Sequence, residues 1–291
     1  MKALGLLPST IQLLRFHFSL FLMPVYWFAL SQVPEVNLFH ALLAFIILHL
    51  LVYPASNGYN SYMDRDTGSI GGIRQPLPPA RQLLYTTAVM DSIAIGIGGC
   101  ISLYFALGIL LYILVSKAYS YRGIRLKKYP VAGYLTVVLF QGAFTFALVY
   151  YGCSAVKTAQ VPAPAMVAAG LLIGGFYPLT QVYQHEADLR DGVQTISYRL
   201  GYRGTFIFCG VVYTVAFVVL GFYFFYTLQS RSFYVFSLCM LPVVLYFLLW
   251  ARKVWENNRE ANYQNTMRMS MIASACTNIA FIIIFIIRRF E

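Results

Sequence analysis

The chain has 291 residues, of which 59% are hydrophobic and only 11% are charged. This balance excludes an ordinary soluble domain, in which about a quarter of the residues are charged. The formal net charge is +11, but the basic residues lie in short segments between apolar runs. The charge therefore indicates a membrane protein with basic loops and excludes a nucleic-acid-binding protein.

Apolar segments recur along the whole chain, and each is close to the roughly 20 residues that a membrane-spanning helix needs. We therefore predict an all-α, polytopic membrane protein with nine transmembrane helices, and a kink at Pro24 in the first of them. The nine predicted spans are 13–31, 39–58, 82–101, 103–118, 131–152, 163–183, 204–228, 232–251 and 269–287.

The basic residues are unevenly divided between the two sides of these spans. With the N-terminus in the cytoplasm, seventeen of the 21 Lys and Arg residues, Lys2 among them, fall in cytoplasmic segments. The other side holds Lys157, Arg231, Arg288 and Arg289. Because cytoplasmic loops carry the excess of Lys and Arg, we expect this orientation in a multi-pass protein. A bacterial inner membrane, with its lipids as partners, is the expected location.

The first span carries an arginine, Arg15, near its cytoplasmic end. The side chain either extends to the interface along its apolar stem or faces an internal cavity, where it would bind an anionic ligand. His17, two residues later, points in another direction and is interpreted as a packing residue.

A polar segment at 60–74, the first acidic island, follows the second span. On a helix, Asn60 and Asp64 lie one turn apart on the same face, and Asp66 follows where glycines end the helix. Carboxylate and amide oxygens suit Mg²⁺, which usually keeps coordination places for phosphate oxygens. The alternative for this segment alone is a solvated membrane loop.

The third span contains a carboxylate, Asp91, about ten residues after Arg81. At 1.5 Å per residue this places it about 15 Å into the span. A carboxylate at that depth normally lines a cavity or has a partner. Asp91 is therefore either hydrogen-bonded in its protonated form to a neighbouring helix or active near a substrate.

The segment 117–128 after the fourth span is basic and contains tyrosines. It either anchors the protein at an anionic leaflet or supplies positive charge to a polyphosphate ligand. A second acidic island, 186–201, follows the sixth span, with Asp188 and Asp191 at i, i+3 and Gln184 one turn before Asp188. Two acidic islands at equivalent helix ends predict one shared site.

The two islands and the basic segment together resemble the UbiA superfamily of intramembrane prenyltransferases. That family shows N-x-x-x-D-x-x-x-D after helix two, D-x-x-x-D after helix six and often Tyr-Ser…Arg-Leu-Lys after helix four. The present chain matches at Asn60, Asp64 and Asp188, and has Gly68 and Gln184 where two family aspartates stand. The middle segment reads Tyr119-Ser120 and Arg125-Leu126-Lys127.

The resemblance implies a single domain over 1–291, whose helices surround a central cavity with an active site on the cytoplasmic side. It implies that bound Mg²⁺ grips an isoprenyl diphosphate, whose prenyl group passes to an aromatic or related lipophilic acceptor in quinone or lipid biosynthesis. The implied metal ligands are Asn60, Asp64, Asp66, Gln184, Asp188 and Asp191. The candidates for binding the diphosphate are Arg15, Arg65, Arg74, Arg122, Arg125 and Lys127. The candidate catalytic residues are Asp64, Asp188 and Asp91, the last of which either contributes electrostatically or takes the proton lost by the acceptor.

The departures from the family pattern leave other functions open. Asp66 would replace the aspartate missing at Gly68, and Glu186 or Asp191 the one missing at Gln184. With fewer carboxylates the chain could act as a terpene cyclase, in which an internal alkene captures the allylic cation. A transporter would also carry polar residues on broken helices, but here the acidic residues cluster at one membrane face rather than at the midplane.

Overall fold

The computed structural model describes residues 5–290, and over that range the chain forms helices, turns and loops without a strand. Lys2, one of the basic residues counted above, lies outside the described residues. Eight helices are long and apolar enough to cross a membrane, and a broken pair of shorter helices makes a ninth candidate. The predicted all-α, polytopic membrane fold is confirmed.

Over residues 5–290, ten helices follow one another. They are α1 (Pro8–Leu14), α2 (Met23–Gln32), α3 (Leu38–Asp64), α4 (Arg81–Ile101), α5 (Leu103–Ser120), α6 (Pro130–Cys153), α7 (Ala163–Arg190), α8 (Ile196–Tyr226), α9 (Ser230–Glu256) and α10 (Tyr263–Phe290). Helices α3 and α6 contain π-helical turns at Ile46–Val52 and Val138–Phe144. Helix α7 is a 3-10 helix over Tyr177–Gln184.

The first predicted span, 13–31, is wrong as a single helix. Arg15 ends α1 with a left-handed φ of 49°, and a 3-10 turn then leads to α2. Pro24 lies in the first turn of α2. A proline there removes no helical hydrogen bond, because the first amides of a helix have no partner within it. The break therefore falls where the sequence places the predicted kink.

The chain divides into two compact units, and the first comprises Met1–Leu20 and Leu42–Leu126. Its helices pack around a cluster of buried apolar side chains. The cluster contains Leu13, Leu14, Ala55, Ile70, Ile73, Leu83 and Met90. Helices α4 and α5 form a hairpin at Ser102, whose hydroxyl caps α5 by accepting a hydrogen bond from the Phe105 amide at 3.0 Å. A tight turn at this serine therefore joins the two helices.

The second unit comprises Phe21–Ala41 and Lys127–Glu291. In its core the ring of Phe28 stacks on Phe281 with centroids 4.5 Å apart. Helices α6 and α7 approach closely at Gly142, where an added Cβ would lie 2.5 Å from the Cα of Gly170. Small residues allow such close helix packing in membrane proteins.

Several helices are longer than the predicted spans. The prediction ended the second span at residue 58 and the sixth at 183, whereas α3 continues to Asp64 and α7 to Arg190. The additional turns are polar, so hydropathy alone does not reveal them. They carry the first residues of both acidic islands.

Candidate active site

The first acidic island begins on the last turns of α3. Asn60 and Asp64 lie one turn apart on this helix, as the sequence predicts. Arg65 then adopts a left-handed φ of 54° and ends the helix, its amide bonded to the Ser61 carbonyl. Asp66 follows in the loop. The helix therefore directs an amide and a carboxylate to similar sides, and the turn brings the next carboxylate close behind them.

Four polar contacts join the end of α3 to α5 and the basic segment after it, and we call them the polar ladder. In chain order its rungs are Ser56–Ser116, Asn60–Ser120, Met63–Arg122 and Asp64–Arg125. The first two are hydrogen bonds between side chains, and the third runs from the guanidinium Nε of Arg122 to the Met63 carbonyl at 2.8 Å. The ladder holds the first acidic island against the basic segment.

Asn60 is oriented by its rung. Its Nδ2 donates a hydrogen bond to the Ser120 hydroxyl at 2.8 Å. The oxygen and the nitrogen of an amide lie in one plane but point in different directions. With the nitrogen directed at α5, the Oδ1 of Asn60 points away from that helix and is the atom suited to a cation.

Asp64 and Arg125 form a pair at the end of the ladder. Their closest charged atoms, Oδ1 and Nη2, are 3.7 Å apart, and the two side chains are only 5% and 11% exposed. At this distance the guanidinium and the carboxylate attract each other electrostatically. The same group is suited to phosphate oxygens, which it binds in a bidentate manner.

The other arginines of the first unit differ in their surroundings. Arg15 is 7% exposed and donates to the carbonyls of Asn57 at 3.2 Å and Gly71 at 3.3 Å. Its guanidinium is therefore buried within the first unit and held by backbone carbonyls. Arg65 lies over the Tyr62 ring at 5.9 Å. Arg74 is exposed.

Asp66 and Arg65 line an open depression of about 430 Å³ within the first unit, together with Arg81. The depression therefore combines one carboxylate with two guanidinium groups. Such a mixture suits a phosphate ligand with an accompanying cation.

Asp91 has a partner on the neighbouring helix. Its carboxylate lies 2.6 Å from the ammonium of Lys117 on α5, which also lies 4.5 Å from the centre of the Tyr59 ring. The Lys117 side chain is 31% exposed and that of Asp91 is 11% exposed. An ion pair thus explains how a carboxylate is tolerated inside α4.

The oxygen ligands of the first island are too few to hold a metal by protein side chains alone, but they suit Mg²⁺. Within either unit, the described residues contain no group of three His, Cys, Asp or Glu side chains that could hold a metal. Mg²⁺ is commonly bound by one or two carboxylates and completes its shell with phosphate oxygens and water. Asp64 with the Oδ1 of Asn60 provides such a partial set.

The second acidic island lies at the end of α7 in the other unit. Gln184 ends the 3-10 segment, and Asp188 lies on the short α-helical stretch His185–Arg190 that follows. This helix ends before Asp191, so the helix face predicted for Asp188 and Asp191 is interrupted. The Asp188 carbonyl instead accepts hydrogen bonds from the amides of Asp191 at 3.1 Å and Val193 at 2.8 Å. The tight turn keeps Asp188 and Asp191 close in space.

Lys127, the last predicted ligand of the diphosphate, also belongs to the second unit. It lies in a 3-10 turn, Leu126–Lys128, and is partly buried.

A buried histidine fixes the start of the second island. The Nε2 of His185 is 2.8 Å from the Ser197 hydroxyl, which lies 3.1 Å from the Thr205 hydroxyl. The imidazole also stacks on Tyr202 with ring centroids 4.8 Å apart. The network ties the turn that carries Asp188 to the first part of α8.

Two apolar cavities lie inside the second unit. One of about 250 Å³ lies among α7, α8, α9 and α10, and its lining includes Cys209, Phe247 and Met269. A smaller one of about 60 Å³ borders α2, α7, α8 and α10. Phe176 and Tyr213 line both. These cavities are too apolar to take a charged group.

Sequence reasoning missed the partners that hold the site residues. Ser116, Ser120 and Lys117 lie on α5, about 60 and 26 residues from the partners that they contact on α3 and α4. A polar side chain at every turn near the end of an apolar helix is a signal for such contacts. It does not, however, indicate which residue lies opposite.

Comparison with known proteins agrees with the fold. The family model of the UbiA prenyltransferase family matches residues 21–272. A search of curated protein sequences finds no match.

Solved structures of similar fold cover almost the whole chain. A UbiA homologue from Archaeoglobus fulgidus, bound to GPP and Mg²⁺, is 19% identical with a TM-score of 0.69, and the match covers 95% of this chain and 99% of that one. The apo structure of a UbiA homologue from Aeropyrum pernix K1 is 17% identical with a TM-score of 0.63, covering 90% and 97%. A structure of digeranylgeranylglyceryl phosphate synthase is 14% identical with a TM-score of 0.59, covering 96% of both chains.

At these identities the structural likeness establishes a shared fold. The family model spans most of the chain, including both acidic islands and the basic segment. The chain is a multi-pass membrane enzyme and belongs to the UbiA prenyltransferase family.

Proposed function

We propose that this prenyltransferase uses Mg²⁺ to transfer an isoprenyl group from an isoprenyl diphosphate to an aromatic or related lipophilic acceptor within the membrane. The observation that carries the proposal is the polar ladder, which holds the end of α3, with Asn60 and Asp64, against Ser120, Arg122 and Arg125. Oxygen ligands for a hard cation thus lie beside guanidinium groups for phosphate oxygens. The Archaeoglobus fulgidus structures bound to DMAPP or GPP with Mg²⁺ support this class of donor.

Asn60 and Asp64 are the residues that would hold the cation in the first unit, followed by Asp66. When bound, Mg²⁺ would offset the negative charge that develops on the diphosphate as its bond to the prenyl group breaks. Asn60 contributes a neutral oxygen and Asp64 a charged one. This ligand set leaves the cation enough net positive charge to attract the diphosphate.

The basic residues bind and orient the diphosphate in this proposal. Arg125 neutralises Asp64 before the cation arrives and offers its guanidinium to the phosphate afterwards. Arg122 is held beside the end of α3 by the Met63 carbonyl, so it is preorganised for the same ligand. The remaining residues that we assign to the diphosphate are Arg15, Arg65, Arg74 and Lys127.

The second island is assigned to metal binding through Asp188, Asp191 and Gln184. A glutamine in place of a carboxylate removes one negative charge, so this island is expected to bind a cation more weakly than a pair of aspartates would. Asp91 is assigned as the acceptor of the proton that the aromatic ring loses.

The test is diphosphate release by the purified protein in detergent from geranyl, farnesyl and geranylgeranyl diphosphates. Each donor is assayed with Mg²⁺ or with EDTA, and with and without a panel of aromatic acceptors. Mass spectrometry then identifies the organic products. We expect release that depends on Mg²⁺ and yields a prenylated acceptor.

Two variants connect this activity with the polar ladder. Asp64→Asn is expected to reduce Mg²⁺-dependent release by at least about 100-fold. Loss of a residue that only supports a metal ligand costs at most about 100-fold, and Asp64 is a proposed ligand itself. Arg125→Gln is expected to raise the KM for the donor. Lys128 is an exposed residue of the same basic segment, and Lys128→Gln is expected to leave this KM unchanged. Equal effects of the two basic substitutions would contradict the assignment of Arg125.

The products also separate this proposal from its rival. Gly68 and Gln184, which replace two aspartates, leave a terpene cyclase open as the second candidate. The diphosphate would ionise in the same way in both reactions. Release without any acceptor, with a cyclic hydrocarbon or alcohol as product, would replace the transferase by the cyclase. Absence of release from all three donors would contradict both.

A further inference from the structure

The second rung of the polar ladder has an acceptor, Ser120, that none of the assignments above includes. Ser120 is the last residue of α5 and is 2% exposed. Its hydroxyl accepts the hydrogen bond from Nδ2 of Asn60 at 2.8 Å, which is within the range of a normal hydrogen bond. A buried side-chain oxygen thus lies directly behind a proposed metal ligand.

This contact decides which end of the Asn60 amide faces a cation. The Oδ1 atom binds a cation, whereas the Nδ2 hydrogens repel it. Rotation of the amide by half a turn exchanges the two atoms within nearly the same volume. With its oxygen accepting from Nδ2, as in the structure, the Ser120 hydroxyl stabilises the orientation in which Oδ1 is presented to the metal.

We propose that Ser120 is a positioning residue that sets the affinity of the first acidic island for its divalent cation by orienting Asn60. The inference rests on the proposed binding of the cation by Asn60 and Asp64. Outer partners of metal ligands act in this way, and their loss typically lowers metal affinity by about 10-fold to 100-fold. Ser120 touches neither the cation nor the substrate in this role.

The first rung of the ladder supplies a matched control. Ser116 lies one turn earlier on α5 and bonds to Ser56, one turn earlier on α3. Replacing either serine by alanine removes one hydroxyl from the same pair of helices. Only Ser120 contacts a proposed metal ligand, so a difference between the two variants cannot come from helix packing alone.

The experiment titrates the purified full-length protein in detergent with Mn²⁺, and follows binding by the loss of the free-ion electron paramagnetic resonance signal. We expect Ser120→Ala to raise the Kd for Mn²⁺ about 10-fold. Ser116→Ala should leave it unchanged, and Ser120→Thr, which keeps the hydroxyl, should restore it. Asn60→Ala should weaken binding by itself, and adding Ser120→Ala should cause little further loss, because the serine acts through the asparagine.

Several outcomes would overturn the inference. They are an unchanged Kd in Ser120→Ala, an equal loss in Ser116→Ala, or additive losses in the double variant. If Ser120→Ala does not fold, Ser120→Cys provides the test, since it keeps the volume and is only a weak acceptor; wild-type affinity in that variant would count against the role. Wild-type protein that binds Mn²⁺ no better than Asp64→Asn would instead overturn the proposed metal site itself.

Discussion

Lys117 extends its ammonium group towards a carboxylate on the neighbouring helix α4. It lies 2.6 Å from Asp91, whose side chain is 11% exposed. Side chains of an α-helix lean towards its N-terminus, which for α5 is the end away from the basic segment. The direction of the helix therefore helps Lys117 to meet Asp91, and the pair makes both charges tolerable within the membrane.

Removing one partner of this pair is expected to destabilise the protein. Lys117→Met leaves Asp91 without its cation and should lower the free energy of unfolding by about 2 kcal/mol, less than for a fully buried pair because Lys117 is 31% exposed. The double variant Asp91→Asn/Lys117→Met removes both charges and should regain most of this loss. Thermal unfolding in detergent measures both effects.

A matched control comes from an exposed ion pair on another helix. Arg252 and Glu256 lie 3.1 Å apart with side chains 80% and 65% exposed, so Arg252→Met should change stability by less than about 0.5 kcal/mol. Turnover of the double variant at Asp91 and Lys117 then tests the assigned chemistry. If Asp91 accepts the proton, the stable double variant stays slower by about 100-fold; wild-type turnover would remove Asp91 from the mechanism.

At the scale of residues, the sequence predicts the helical spacing of the proposed ligands but not the residues that they contact. Asn60 and Asp64 are one turn apart because the period of the helix places them there, and that period is visible in the sequence. Ser120 and Arg125 meet them through the packing of α3 on α5. Hydrogen-bond partners 60 residues away have no local signature, so these contacts require the structure.

At the scale of elements, one close approach of two helices depends on a pair of glycines. Gly142 lies in the π-helical part of α6, and a Cβ built there would be 2.5 Å from the Gly170 Cα and 2.9 Å from the Ala169 carbonyl oxygen. Both atoms belong to the backbone of α7, which cannot move aside as a flexible side chain can. The contact therefore sets how close α6 and α7 can come.

Gly142→Ala is expected to lower the free energy of unfolding by about 1–3 kcal/mol, the usual effect of overpacking a core. The matched control is Gly96→Ala on α4, where no described atom outside the local helix would lie within 4 Å of the new Cβ. Alanine is a better helix former than glycine, so this control should be neutral or stabilising by up to about 1 kcal/mol. Thermal unfolding that shows equal changes in the two variants would refute the role of the close approach.

The elements themselves were mostly predictable, and the exceptions have physical reasons. Apolar runs identify the spans because the bilayer requires about 20 apolar residues. They do not predict that α3 continues to Asp64, since its last turns are polar and are stabilised by the ladder. They also do not predict that α1 ends at Arg15, because this residue adopts a left-handed backbone conformation that usually favours glycine.

At the scale of the whole molecule, the distribution of charge predicts how the chain lies across the membrane. Seventeen of the 21 Lys and Arg residues fall on the side of the N-terminus when the predicted spans are counted. Such an excess marks the cytoplasmic side. Four predicted spans separate the acidic islands in sequence, so both islands are expected on that side, where a soluble diphosphate donor and Mg²⁺ are available.

Cysteine labelling in intact cells tests this orientation, starting from a variant without its five native cysteines. The exposed residues Thr67, in the loop of the first island, and Gln194, in the second, are replaced one at a time by cysteine, as is Gln160 in the loop between α6 and α7. A maleimide that cannot cross the membrane should label Gln160→Cys in intact cells, and should label Thr67→Cys and Gln194→Cys only after the cells are opened. Labelling of both island positions in intact cells would reverse the orientation, because the positive charges would then lie outside. Labelling of one island alone would show an error in the number of spans between them, since an even number returns the chain to the same side.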